Sequence, residues 1–166
     1  MSTLRVDNLN ARTGTTIYIP TGTKLYAPGS VVQVVNTTYS STITFSGSAG
    51  TETSTGLNGV ITPTSANSKI LILASVQVRV GGSGASYGHF NIYRGTTKIY
   101  DGQSAEHVLN SAAEYGVRWS QNWLDSPAST STQTYTIKFV IDNSTAGADI
   151  NRNGSPASMT LMEIAQ

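Results

Sequence analysis

Along residues 68–80, Ser-Lys-Ile-Leu-Ile-Leu-Ala-Ser-Val-Gln-Val-Arg-Val, the side chains alternate with a period of two. Ile70, Ile72, Ala74, Val76, Val78 and Val80 share one face of an extended chain, and Leu71, Leu73, Ser75, Gln77 and Arg79 share the other. A helix would need apolar positions three and four residues apart, and the polar residues at 75, 77 and 79 break that spacing. β-branched Ile and Val favour the strand further. The first half is apolar on both faces and the second half on one, so this central strand is expected to start deep in a core and emerge at a rim. Gly81-Gly-Ser-Gly84 ends it.

Shorter runs of the same kind follow one another from Ser30 onward. They are 31–35, 42–45, 57–62, 89–94, 98–100, 116–124, 134–141 and 157–164, joined by stretches rich in Gly, Pro, Ser, Thr and Asn. A polar loop is expected over 46–54 and a turn over 63–68. Gly95-Thr-Thr97 reads as a hairpin connection. Residues 102–115 fit either a helical turn or a long loop, and no other segment has helical periodicity. At least eight strands at this spacing predict an all-β fold, an antiparallel β-sandwich of the jelly-roll kind, with an immunoglobulin-like order as the alternative.

Residues 1–29 differ. Short β-like pieces are separated by Pro, Gly and Asn, and their apolar residues are Leu4, Val6, Leu9, Ile17, Tyr18, Ile19, Leu25 and Tyr26. These are too few to cover one another. The segment therefore reads as an extended N-terminal arm whose partners lie outside it, either on its own domain (residues 30–166) or on neighbouring copies and a larger particle.

Composition narrows the function. Charged residues make up only 11% of the chain and the net charge is +1, which argues against a nucleic-acid partner needing a clustered basic surface. Hydrophobic residues at 38%, arranged in alternating runs, can offset the entropy of ordering. There is no cysteine, so packing and assembly must supply stability. No stretch approaches the ~20 apolar residues of a membrane helix, and Met1-Ser-Thr-Leu-Arg5 lacks a signal-peptide core. Synthesis in a cytoplasm, with release by a route such as lysis, is the expectation.

No Gly-x-Ser-x-Gly elbow, P-loop or His-Glu-x-x-His motif is present. His89 and His107 are too far apart in sequence to form a ligand pair, and nothing marks a nucleophile for Glu106-His107. Asp125, Asp142 and Asp149 lack the dense spacing of a calcium loop. No catalytic residue, cofactor or metal is therefore assigned. Trp119 and Trp123 share strand parity and read as core or interface residues. Tyr87, in the Gly81–Gly88 loop, is the candidate contact for a glycan or a partner, because rings stack on sugars and rigid sheets present such loops.

Several phrases carry a resemblance. Ser2-Thr-Leu-Arg-Val-Asp-Asn-Leu9, Pro28-Gly-Ser-Val-Val-Gln-Val-Val35, Ile61-Thr-Pro-Thr-Ser-Ala-Asn-Ser-Lys-Ile-Leu71, Phe90-Asn-Ile-Tyr-Arg94, Leu124-Asp-Ser-Pro127, Ile150-Asn-Arg152 and Met159-Thr-Leu-Met-Glu-Ile164 span nearly the whole chain. In that order they resemble a family of virion structural and tail-fibre proteins of tailed phages that infect cyanobacteria and other aquatic bacteria. The resemblance implies a short N-terminal attachment segment, a β-sandwich head and a place in the virion. It leads to the expectation of a non-enzymatic, homotrimeric tail fibre or knob that contacts other virion proteins and a host-surface glycan. The alternative is a capsid decoration or cement protein clamping neighbouring shell subunits. The chain has no extended stalk, which sets it apart from long fibres.

Overall fold

The computed structural model describes residues 27–45, 49–81, 85–86, 88–103, 110–111, 115–142 and 147–166. The arm residues Leu4 to Tyr26, Tyr87, Glu106 and His107 lie outside them. Among the described residues twelve strands run in chain order: β1 Val31–Tyr39, β2 Ile43–Phe45, β3 Glu52–Ile61, β4 Lys69–Gly81, β5 Ala85–Ser86, β6 Gly88–Arg94, β7 Thr97–Asp101, β8 Asn110–Ser111, β9 Tyr115–Asp125, β10 Gln133–Ile141, β11 Gly147–Ile150 and β12 Ala157–Ile164. Every pairing among them is antiparallel.

The alternating segment at 68–80 becomes β4, at the middle of the first sheet. One edge of β4 pairs with β9 from Ile70 to Val80. The other edge is shared end to end by β12, opposite residues 69–75, and β11, opposite residues 78–81. Between these two strands the chain makes a short 3-10 turn at Arg152–Gly154, entered through Asn151 at φ 54, a left-handed conformation that Asn tolerates better than most residues. β1 and β2 flank β12 and β11 in the same tandem way. The second sheet runs β3-β10-β6-β7.

With β1/β2 and β11/β12 each taken as one interrupted strand, and the two-residue β5–β8 pair set aside, each sheet has four strands. The first is ordered first-eighth-third-sixth along the chain and the second is ordered second-seventh-fourth-fifth. That order is a jelly roll. The immunoglobulin-like alternative does not have it.

The core lies between the sheets. Ile70, Ile72, Val76 and Val78 of β4 are fully buried with Leu57, Phe90, Ile92, Ile137, Met159 and Leu161. Phe90 of the second sheet stacks on Trp119 of the first, ring centroids 4.6 Å apart, so Trp119 is a core residue. Trp123 keeps 37% of its surface exposed and packs at the sandwich edge against Tyr100, centroids 5.3 Å apart.

Three expectations are corrected. The polar loop is shorter than 46–54, because β3 already starts at Glu52 and pairs with β10 as an edge strand. Its early residues are Ser, Thr and Gly, with buried Thr55 donating to the Ile137 carbonyl in place of an apolar side chain, and a register shift near Gly56 hides the alternation. A short strand, β11, forms at Gly147–Ile150, where only two inward residues, Ala148 and Ile150, mark it. Finally, the doubly apolar first half of β4 is buried on one face only. A two-layer sandwich gives each sheet a single inner face, and Leu71 and Leu73 lie on the outer one, with Leu73 exposed.

Candidate functional site

The jelly-roll order sorts the connections to two ends. Val31, Lys69, Ile164 and Asp125 pair at one end of the first sheet, while Phe45, Gly81, Tyr115 and Gly147 gather toward the other. In the second sheet Ile61, Gln133, Arg94 and Thr97 lie at the first end, and Glu52, Gly88, Asp101 and Ile141 at the second. The chain enters at the first end. Ala27-Pro-Gly-Ser30 forms a tight turn, with Ser30 N–H donating to the Ala27 carbonyl at 2.9 Å and Gly29 at φ 83, as a type II turn requires. Gly29 N–H also donates to the Ala165 carbonyl at 2.8 Å, and Ala165 N–H to that of Ser30 at 2.9 Å, which fastens the entry point to the C-terminus.

Two buried carboxylates brace this entry end. Asp125 receives Arg94 Nη1 on both oxygens, at 2.8 and 2.7 Å, and the Tyr135 hydroxyl at 2.7 Å, linking three strands across the sheets. Burial and then the hydrogen bond to Asp125 push the Tyr135 phenol well above its usual range. Glu163 is fully buried and holds the 62–68 connection: Thr64 donates its N–H and its hydroxyl, each at 2.7 Å, and Gln33 Nε2 donates at 2.6 Å. Burial raises the Glu163 pKa, but the donors around it, Ser68, Gln33 and Thr64, outweigh burial and hold it below 4.5.

The opposite end carries a polar pocket of about 190 Å³ lined by Glu52, His89, Asn91, Lys98, Gln103 and Asp142 with Gly50 and Val140. His89 is buried, with Nδ1 2.8 Å from Asp142 and Nε2 3.9 Å from Asp101. Asn91 donates to Glu52 at 2.6 Å and accepts the Gly102 N–H at 3.1 Å. The Tyr93 hydroxyl donates to the other Glu52 oxygen. Lys98 reaches Glu52 at 3.2 Å and Asp101 at 3.0 Å, and Lys138 Nζ stands 3.8 Å from the Tyr93 ring centroid. Burial alone would raise the Glu52 pKa, yet Tyr93, Asn91 and Lys98 hold it below 4.5, while burial and then Glu52 push the Tyr93 phenol up to about 12. These groups hold one another through hydrogen bonds and ion pairs, which suits recognition at a fixed polar surface.

Among the sequence candidates, Asp125, Asp142 and Asp149 are kept apart. Each has its own partner, and Asp149 pairs with Arg79 at 3.2 Å and accepts the Thr44 hydroxyl at 2.9 Å. Among the described residues no three His, Asp or Glu side chains are grouped to hold a metal ion. Tyr87 itself is not described, but its neighbours Ser86 and Gly88 belong to the connection at the pocket end. Sequence reasoning missed Glu52 and Glu163. For Glu163 a signal existed, because it continues the inward parity of Met159 and Leu161.

No protein-family description and no curated protein matches the sequence. Among solved structures, a chain from a study of Bacillus endospore appendages, a family of disulfide-linked pili, is similar over 88% of this chain and 100% of its own. The identity is 17% and the TM-score 0.36. That likeness supports no statement about function.

Proposed function

We propose that the protein is a non-enzymatic structural component of a phage virion, a short homotrimeric fibre or knob that attaches through residues 1–29 and turns its sandwich outward. The observation that carries this reading is the separation of the two ends. The segment before Ala27 joins at the end braced by Asp125 and Glu163, whereas the connections flanked by Phe45 and Glu52, Gly81 and Gly88, Asp101 and Tyr115, and Ile141 and Gly147 all lie at the other. This separation supports a base that attaches and a tip that is presented. The tip holds the polar pocket, and Tyr87, which precedes Gly88 in the sequence, is the proposed contact for a host-surface polysaccharide.

A shortened chain beginning at Ser30 retains the described strands and is expected to fold yet fail to join particles. Light scattering and a particle-binding assay check both halves. Binding by the shortened chain equal to that of the intact one would transfer the attachment role to the sandwich, as in a cement protein. Staining intensity per virion gives the copy number, with dozens or fewer expected and hundreds favouring cement.

A further inference from the structure

The edges of the two sheets are built differently. In the second sheet both edge strands are bulged: β3 shifts register opposite Thr136 and Lys138, and β7 opposite Ile92 and Tyr93. Bulges of this kind twist an edge away from further pairing. In the first sheet β9 pairs with β4 without a shift from Tyr115 to Asp125, and among the described residues nothing pairs with its other side. The opposite edge, β1, shifts only between Val31 and Gln33, which leaves residues 33–39 regular. The Asn122 N–H donates to Gln121 Oε1 at 3.0 Å and so faces away from β4. By alternation the N–H groups of Arg118 and Ser120 face the same way. Neither proline nor lysine guards β9, and Arg118 is drawn onto its own sheet, donating to Ser155 Oγ at 2.9 Å and to the Pro156 carbonyl at 3.1 Å. A long strand edge left open in this way is a template for a further strand.

We propose that β9 of one copy pairs with β1 of the next, so that the first sheet runs continuously through the assembly. This rests on the homotrimer reading and names the surface that joins its copies. Strand direction selects the occupant. The order β1-β12-β4-β9 is antiparallel at each step, so β9 runs opposite to β1 within a copy. A copy rotated about an axis parallel to the strands therefore brings its β1 antiparallel to β9, with all entry ends on one side, as attachment through residues 1–29 requires. An antiparallel β9–β9 pair instead needs a two-fold axis across the strands, which sets the entry end of one copy beside the opposite end of the other. The side chains agree. Among the described residues, five of the six exposed large hydrophobics lie on edge strands: Val31 and Val34 on β1, Val60 on β3, and Trp123 and Leu124 on β9. The outer row Val34-Met162-Leu71-Leu124 then continues from Leu124 into Val34 of the next copy. No like charges meet, because β1 carries no charged residue. Seven residues at ~3.4 Å make a contact ~24 Å long and two stacked sheets are ~20 Å deep with their side chains, so each copy contributes ~500 Å² and the pair ~1,000 Å², the size at which an interface becomes specific.

The test uses the full chain. Because its N–H faces the free edge, Ser120→Pro breaks no bond to β4 and is expected to keep the parent's circular dichroism spectrum while raising the dissociation constant of the assembly, in sedimentation equilibrium, about tenfold. An assembly as tight as the parent's overturns the proposal. Cysteine cross-linking does not depend on that variant. The chain has no cysteine, and within one copy Val34 and Leu124 are three strand spacings, ~14 Å, apart. With a bis-maleimide well short of that spacing, Val34→Cys and Leu124→Cys in the same chain are expected to give covalent trimers, and either substitution alone none. Cross-linking of Leu124→Cys alone, which marks a β9–β9 contact, overturns the proposal. If the parent sediments as a trimer and the double variant stays uncross-linked, the edge pairing fails and the trimer stands. A parent that sediments as a monomer overturns both.

Discussion

Replacing Glu163 by Gln changes one atom and should cost about as much stability as a core truncation. One carboxylate oxygen accepts both Thr64 donors at 2.7 Å, and the other accepts Gln33 Nε2 at 2.6 Å. A Gln amide can present its carbonyl to Thr64, but its NH2 then meets Gln33 Nε2, donor against donor. Gln33 cannot simply flip, because the same Nε2 donates to the Thr62 carbonyl at 2.7 Å. One hydrogen bond is therefore lost with a buried donor left unpaired, and the remaining two lose their charge assistance, for a total of about 2–4 kcal/mol at neutral pH. With a slope of about 2 kcal/mol/M, the urea midpoint falls by about 1–2 M. The pH dependence supplies a second check. Glu163 is held below its ordinary 4.5 in the folded state, so its stabilising contribution is complete above 4.5 and is lost as pH falls through the folded value. The gap between parent and variant should accordingly narrow in acid. A variant with the parent's midpoint at neutral pH would refute the argument.

Other expectations are as direct. Ile72→Ala, at a fully buried position facing the second sheet, is expected to cost about 2–5 kcal/mol in urea unfolding. Gly88→Ala would place a Cβ 2.3 Å from the Val140 carbonyl oxygen and 2.5 Å from the Phe139 ring, so a loss of about 1–3 kcal/mol is expected by calorimetry. Because the Tyr93 pKa is raised to about 12, its contribution to stability is complete below 10.0 and declines as pH rises toward 12. Ultraviolet titration should show Tyr93 and Tyr135 ionising late, and Tyr93→Phe should remove the earlier of these two steps.

Alternation made the sandwich legible wherever one strand face is buried against the other sheet. It marked β4, β10 and β12 because their inward residues are large and apolar. It failed at Glu52–Gly56, where Thr55 fills an inward position with a hydroxyl satisfied by the Ile137 carbonyl, and hydrophobicity carries no trace of that bond. Strand order was out of reach, since it is decided by pairings between residues far apart, such as Val34 with Met162. The pocket was illegible for the same reason. Glu52, His89, Lys98 and Asp142 come from four strands or their ends, and no spacing in the chain announces their meeting.

Charge placement bears on how copies of this protein meet. Every described carboxylate has a named partner: Glu52 and Asp101 with Lys98, Asp125 with Arg94, Asp142 with His89, Asp149 with Arg79, and Glu163 with Gln33 and Thr64. The outer face of the first sheet, from Val34 to Leu124 and from Thr38 to Ser120, offers apolar, hydroxyl and amide groups, bounded by Lys69 at one end and at the other by Arg118, which donates to Ser75 Oγ at 3.3 Å. Contacts made there gain little from long-range attraction. Raising the salt from ~0.1 to ~1 M shortens the screening length from about 10 to about 3 Å, which weakens exposed ion pairs but leaves buried apolar contact intact. Sedimentation velocity should therefore give the same assembly at both salt levels. Acidification below the carboxylate range should instead loosen it, as Glu52 and Glu163 take up protons and the ends they brace give way. Assemblies that dissociate in high salt at neutral pH would show that exposed charge joins the copies.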